Sequence, residues 1–186
     1  MTPDEVLAVS RRAECLHTEA EVEAAITVLA NQVTEVLENR NPILLCLMKG
    51  GLVFSGKLLT RLNFPLQIDY LHASRYRNET YGSGLEWHRL PTLPMRGRDV
   101  LVLDDILDEG KTLSAVVEHC RVQGAACVRI AVLVEKIHER KVEGIRADFV
   151  GLDVEDRYLY GFGMDYRGYL RNAAGIYAID KSDSDY

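Results

Sequence analysis

Residues 100–112 read Val-Leu-Val-Leu-Asp-Asp-Ile-Leu-Asp-Glu-Gly-Lys-Thr and carry more chemistry than any other stretch of the chain. Two adjacent carboxylates, Asp104 and Asp105, follow four apolar residues, and a third, Asp108, opens the turn Glu109-Gly110-Lys111-Thr112. Vicinal carboxylates suit a hard cation such as Mg²⁺. A glycine turn leading into a helix offers backbone N–H groups and the positive end of a dipole, which suit a phosphate. Strand, acidic edge, glycine turn and helix therefore point to a phosphate bound beside Mg²⁺, beyond the carboxyl end of a strand. A Walker A loop does not fit, although Gly110-Lys111-Thr112 is present. It needs a glycine five positions earlier, and position 105 is Asp. A plain strand-to-helix turn with acidic caps would use the same residue types.

Three other stretches could share in this chemistry. Leu45-Cys-Leu-Met-Lys-Gly-Gly runs an apolar strand into Lys49, Gly50 and Gly51. Backbone N–H groups there could cradle a second phosphate, or the glycines could simply tighten a turn. Val132-Leu-Val-Glu-Lys places Lys136 at another strand end, as a solvated charge or as a fixed donor. Asp156 to Arg171 is rich in aromatics (Tyr158, Tyr160, Phe162, Tyr166, Tyr169), which either pack or offer a face to a flat base. His72 and His88 lack a spacing that argues for a nucleophile, and we read both as structural.

The elements that must position these residues alternate. Residues 19–38 have helical spacing in Val22, Ile26, Leu29, Val33 and Leu37, and Asn41-Pro42 ends that helix. Strands are expected at 43–48, 64–72, 100–103, 128–134, 149–152 and 159–161, with helices at 52–62 and 112–122. Such alternation implies an α/β fold with a mainly parallel sheet covered on both faces. Residues 75–91 lose all periodicity and are expected to form a long loop, of the kind that is functional when found inside a compact domain.

Bulk properties narrow the partners. A chain of 186 residues is expected to form one domain with a sizeable core. A formal charge of −6 argues against broad nucleic-acid binding, so no nucleic-acid partner is expected. No apolar run approaches the length of a membrane span, so no membrane partner is expected either. Met-Thr-Pro-Asp-Glu is not a secretory signal, and the four cysteines lack metal-type spacing. Cys46 and Cys127 read as buried thiols, and a cytoplasmic location is expected.

The whole constellation resembles the bacterial hypoxanthine–guanine phosphoribosyltransferases, within the family of transferases that use phosphoribosyl pyrophosphate (PRPP). The resemblance rests on the 100–112 stretch, the Lys49-Gly50-Gly51 turn, Lys136 and the Gly-Phe-Gly-Met-Asp-Tyr run at 161–166. It implies the type I phosphoribosyltransferase fold in one domain, 1–186. The core would span about 40–155, with a small hood from about 1–38 and 156–180. It implies a purine-salvage enzyme that joins PRPP to N9 of hypoxanthine or guanine, with PRPP and a 6-oxopurine as partners and a homodimer or homotetramer as assembly.

The site follows residue by residue. PRPP would meet Asp104, Asp105, Asp108, Glu109, Gly110, Lys111 and Thr112, with Asp108 as the catalytic base. Glu109 stands where many relatives have Thr, and is expected to point outward. Pyrophosphate would meet Lys49, Gly50 and Arg171, with a cis peptide before Lys49. The purine would meet Lys136, Tyr158, the Leu159 backbone and Asp165. Mg²⁺ would be held by Asp104, Asp105 and Asp165. Arg75 and Tyr76 would belong to a closing lid at 75–91, with Arg75 where the family has Ser. A PRPP-motif nucleotide-binding regulator, or a transferase for xanthine, uracil or adenine, remains the alternative.

Overall fold

A computed structural model describes residues 1–75, with Arg75 through its backbone only, and residues 85–183. In chain order the elements are α1 (Pro3–Arg12), β1 (Glu14–Thr18), α2 (Glu19–Leu37), β2 (Ile43–Met48), α3 (Gly51–Leu59), β3 (Gln67–Arg75) and β4 (Leu85–Arg89). There follow β5 (Asp99–Leu107), α4 (Lys111–Val122), β6 (Cys127–Ile137), β7 (Phe149–Glu155), β8 (Leu159–Tyr160), β9 (Gly175–Ala178) and a 3₁₀ turn at Lys181–Asp183.

Six strands form the main sheet in the order β4-β3-β2-β5-β6-β7. All neighbours are parallel except β4, which runs antiparallel to β3. The central strands are apolar on both faces because both are covered. On β5, Leu101 and Leu103 enter a cluster with Val22, Ile26 and Leu29 of α2 and with Phe54 of α3. Val100 and Val102 face the opposite way, toward Leu113, Val116 and Cys120 of α4. The alternation follows from the two-residue strand period, and it explains why these strands read as unbroken apolar runs. Among the described residues no helix is long and apolar enough to cross a membrane.

A smaller antiparallel sheet, β1-β9-β8, joins the two ends of the chain. The sequence reading missed α1, β1 and β9. The signal for α1 was present. Thr2 caps the helix, Pro3 stands in its first turn and Glu5 closes a capping box, with Thr2 N–H donating to Glu5 Oε2 at 2.6 Å. Thr18 and Glu21 repeat the device on α2.

Several boundaries differ from expectation. The strand predicted at 100–103 continues to Leu107, because β6 keeps pairing with it: Asp104 faces Val132 and Leu107 faces Glu135. Pairing with β2 stops at Cys46 and Leu103. The acids thus lie inside the strand, where pairing with β2 has stopped and pairing with β6 continues. The strand predicted at 64–72 is 67–75. Leu62, Phe64 and Leu66 pack into the core as a connection, and the ladder starts at Gln67 beside Ile43. The helix predicted at 52–62 is 51–59.

The loop predicted at 75–91 is not a loop throughout. Residues 85–89 form β4, and Arg75 lies on β3 opposite Leu85. Tyr76 and the rest of 76–84 lie outside the described residues. Cys127 is only half-buried, whereas Cys120 is buried and its thiol is pushed up to about 11 by desolvation.

Candidate active site

The carboxyl ends of β2, β5 and β6 converge with the 156–171 segment on a cavity of about 360 Å³. Gly50, Asp104, Asp105, Asp108, Thr112, Lys136, Tyr158, Leu159, Asp165 and Arg171 all line it. Lys49, Glu109, Gly110 and Lys111 do not, although they belong to its supporting turns.

β2 ends in a cis peptide between Met48 and Lys49, and α3 starts two residues later. The Lys49 side chain is exposed. Gly50 is enclosed on two sides: a Cβ there would lie 2.2 Å from Asp105 Oδ2. Gly163 in turn approaches the Gly50 carbonyl so closely that its own Cβ would lie 2.1 Å from that oxygen.

Asp104 and Asp105 are 9% and 7% exposed. Asp104 Oδ1 accepts the Asp105 N–H at 2.9 Å. Burial pushes both carboxyls upward, Asp104 far above the usual range because Asp105 also repels its charge. Arg171 lies 4.0 Å from Asp105 and 2.5 Å from Asp165, and it donates to the Gly163 carbonyl at 2.5 Å. Asp165 also accepts the Gly168 N–H at 2.6 Å.

The β5–α4 turn is closed by Gly110, whose φ of 78° favours glycine and whose missing Cβ would meet Ile145 at 2.7 Å. Gly110 caps α4 with no side-chain hydrogen bond, so the first N–H groups of the helix have no side-chain cap. Glu109 pairs with Lys111 at 2.8 Å on the same turn, and its carbonyl accepts the Val142 N–H at 2.8 Å.

Asp108 is the centre of a charged cluster. Its Oδ2 accepts from Lys136 Nζ at 3.0 Å, and its Oδ1 lies 2.8 Å from His138 Nε2. Lys136 Nζ is also 3.6 Å from Asp156, which Arg140 holds at 2.5 Å. Burial opposes charge on Asp108, but the hydrogen bonds from Lys136 and His138 outweigh it and hold the carboxyl below its usual range. Asp156 is lowered to about 2, chiefly by its hydrogen bond with Arg140.

Sequence reading left His138 and Asp156 without roles. A signal for His138 existed: β6 runs to Ile137, and positions 136 and 138 share a face in an extended chain. Of the aromatics, Tyr160, Phe162 and Tyr166 are buried packing. Tyr158 is 44% exposed, lines the cavity, and meets Tyr166 edge-on with ring centroids 5.8 Å apart. His72 and His88 lie 4.6 Å apart across β3 and β4, and Ser74 Oγ is 2.7 Å from His88 Nε2.

Comparison with known proteins places these features in a lineage. The model of the phosphoribosyl transferase domain matches residues 13–166. The chain is 35% identical over 159 residues to the hypoxanthine-guanine phosphoribosyltransferase of Bacillus subtilis, covering 84% of this chain and 87% of that protein. It is 36% identical over 158 residues to the bifunctional protein TilS/HprT of Listeria monocytogenes, but spans only 24% of that longer protein. A crystal structure of a hypoxanthine phosphoribosyltransferase from Staphylococcus aureus superposes with a TM-score of 0.89 at 25% identity, covering 100% of each chain.

Proposed function

The chain belongs to the phosphoribosyl transferase family, and on that premise we propose that it transfers the 5-phosphoribosyl group of PRPP to N9 of hypoxanthine or guanine. The products are IMP or GMP and pyrophosphate. The observation that carries this reading is Lys136 held 3.0 Å from Asp108 at the ends of two neighbouring strands, in a cavity that the half-exposed Tyr158 also lines. A fixed ammonium prefers the 6-oxo group of these purines to the amino group of adenine.

Each part of the site has a task. As pyrophosphate leaves, ribosyl C1′ becomes cation-like, and the leaving charge must be offset. Lys49, the Gly50 turn and Arg171 receive the pyrophosphate. The turn from Asp108 to Thr112 takes the 5′-phosphate on the backbone N–H groups that begin α4. The purine stacks on Tyr158, with its edge against the Leu159 backbone and Asp165 close by. Lys136 donates to the 6-oxo group. Asp108 takes or shares the N7 proton as N9 attacks, a general-base role worth about 10²–10⁴ in rate.

The donor set fits Mg²⁺. Two adjacent buried carboxylates, both driven toward protonation by desolvation and Asp104 also by the charge of Asp105, would be relieved by a hard cation or its water shell. When bound, Mg²⁺ would supply positive charge to offset that of the leaving pyrophosphate. Asp104 and Asp105 would hold it. Asp165 is already engaged by Arg171 and Gly168, so it serves the base side of the cavity.

The test is turnover with PRPP, Mg²⁺ and each of hypoxanthine, guanine, xanthine, adenine and uracil. Hypoxanthine and guanine are expected to react and adenine to fail. Failure of all five, with PRPP still bound, would instead support a nucleotide-binding regulator.

A further inference from the structure

We propose that His138 is a positioning residue for Asp108, holding that carboxylate in place when Lys136 turns to the purine. The proposal rests on the transferase reading above and adds to it a residue that the sequence motifs do not contain.

The hydrogen bonds of His138 settle its tautomer without any proton being seen. Nδ1 accepts the backbone N–H of Arg140 at 3.0 Å. A backbone amide can only donate, so Nδ1 bears a lone pair and the ring proton sits on Nε2. Nε2 lies 2.8 Å from Asp108 Oδ1 and therefore donates to it. The imidazole is 6% exposed, whereas the Asp108 side chain is 31% exposed toward the cavity. A buried ring with both nitrogens committed makes a rigid strut rather than a solvated surface group.

The second donor to Asp108 is less committed. Lys136 Nζ stands between Asp108 at 3.0 Å and Asp156 at 3.6 Å. It must also reach the substrate oxygen. As its N–H groups redistribute toward the base, Asp108 keeps the bond from His138. The carboxylate then stays oriented, with lone pairs still free for the N7 proton. Other charges around Asp108 are Arg140, with Nη2 at 3.9 Å, Asp156 beyond Lys136, and the Glu109–Lys111 pair on its own turn.

Wild type, His138→Ala and His138→Gln are to be compared across pH with Mg²⁺–PRPP and hypoxanthine, with thermal melts as a check on folding. His138→Ala is expected to lower kcat about tenfold to a hundredfold, to leave KM for PRPP within about twofold, and to move the acid limb of kcat/KM up by about one pH unit. His138→Gln keeps a side-chain N–H donor and is expected to recover most of the loss. An unchanged acid limb in His138→Ala, or Gln no better than Ala, would overturn the proposal. ¹⁵N NMR of the free protein reads the contact without catalysis. A neutral Nε2–H ring is expected, and an Nδ1–H ring would overturn it. An inactive wild type showing the Nε2–H ring would mark failure of the transferase reading alone.

Discussion

Gly50 and Asp105 stand so close that no side chain fits between them. The contact joins the end of β2 to the middle of β5, and Gly163 seals it from the third side. Gly50→Ala must therefore push the Asp105 carboxylate out of its buried place. Overpacking of this kind costs about 1–3 kcal/mol. Calorimetry is expected to show PRPP–Mg²⁺ binding weakened more than about tenfold, a change of over 1.4 kcal/mol, with the circular dichroism spectrum kept. Unaltered binding would mean that Asp105 can move freely and that its place does not matter.

Asp108→Ala removes the proposed base but leaves the turn's backbone. We expect kcat to fall by about 10²–10⁴ while PRPP affinity holds. Unchanged kcat would exclude the base role.

Lys136→Ala is expected to raise KM for hypoxanthine and guanine and leave that for PRPP nearly intact. The loss of one hydrogen bond between charged and polar groups is about 1.5–3 kcal/mol. If wild type already uses adenine well, Lys136 is not the source of discrimination.

Asp104 is a buried acid whose folded pKa lies above its unfolded value. Such a group lowers stability as pH rises through the unfolded value toward the folded one. At neutral pH without metal, Asp104→Asn is therefore expected to raise Tm, while the further rise in Tm caused by Mg²⁺–PRPP is lost. A lower Tm in the metal-free variant would contradict the pH argument.

Asp69 behaves in the opposite sense. Burial opposes its charge, but it accepts the N–H groups of Leu93 at 2.8 Å, Thr92 at 2.6 Å and Tyr70 at 2.8 Å, and the carboxyl is held low. Its contribution is complete above the unfolded pKa, near 3.9, and fades as pH falls through the folded one. Asp69→Asn should cost about 2–3 kcal/mol at pH 7 in chemical denaturation. The gap from wild type should narrow in acid, and a constant gap down to pH 2 would rule out this linkage.

How much of this could be read without the fold depended on how far the relevant residues lie from one another. The strand-turn-helix at 99–122, the exact span of β2 and the helix α2 follow from local causes: an apolar run, a glycine with positive φ, a capping box. Each acts within a few residues, so the chain's own order displays it. Those local signals singled out Asp104, Asp105, Asp108 and the Lys49-Gly50 turn, whereas Lys136, Tyr158 and Arg171 drew a role only from the family resemblance. Tertiary structure decided what no local pattern contains. It extended β5 past its acids because β6 outlasts β2 beside it, and it turned 85–89 into a strand because β3 offered an edge. It set Gly163 against Gly50 and Gly50 against Asp105. It also placed His138 on Asp108, thirty residues away in sequence. The physical reason is that periodicity and caps are properties of one segment, whereas contact across a site depends on where several segments end relative to one another.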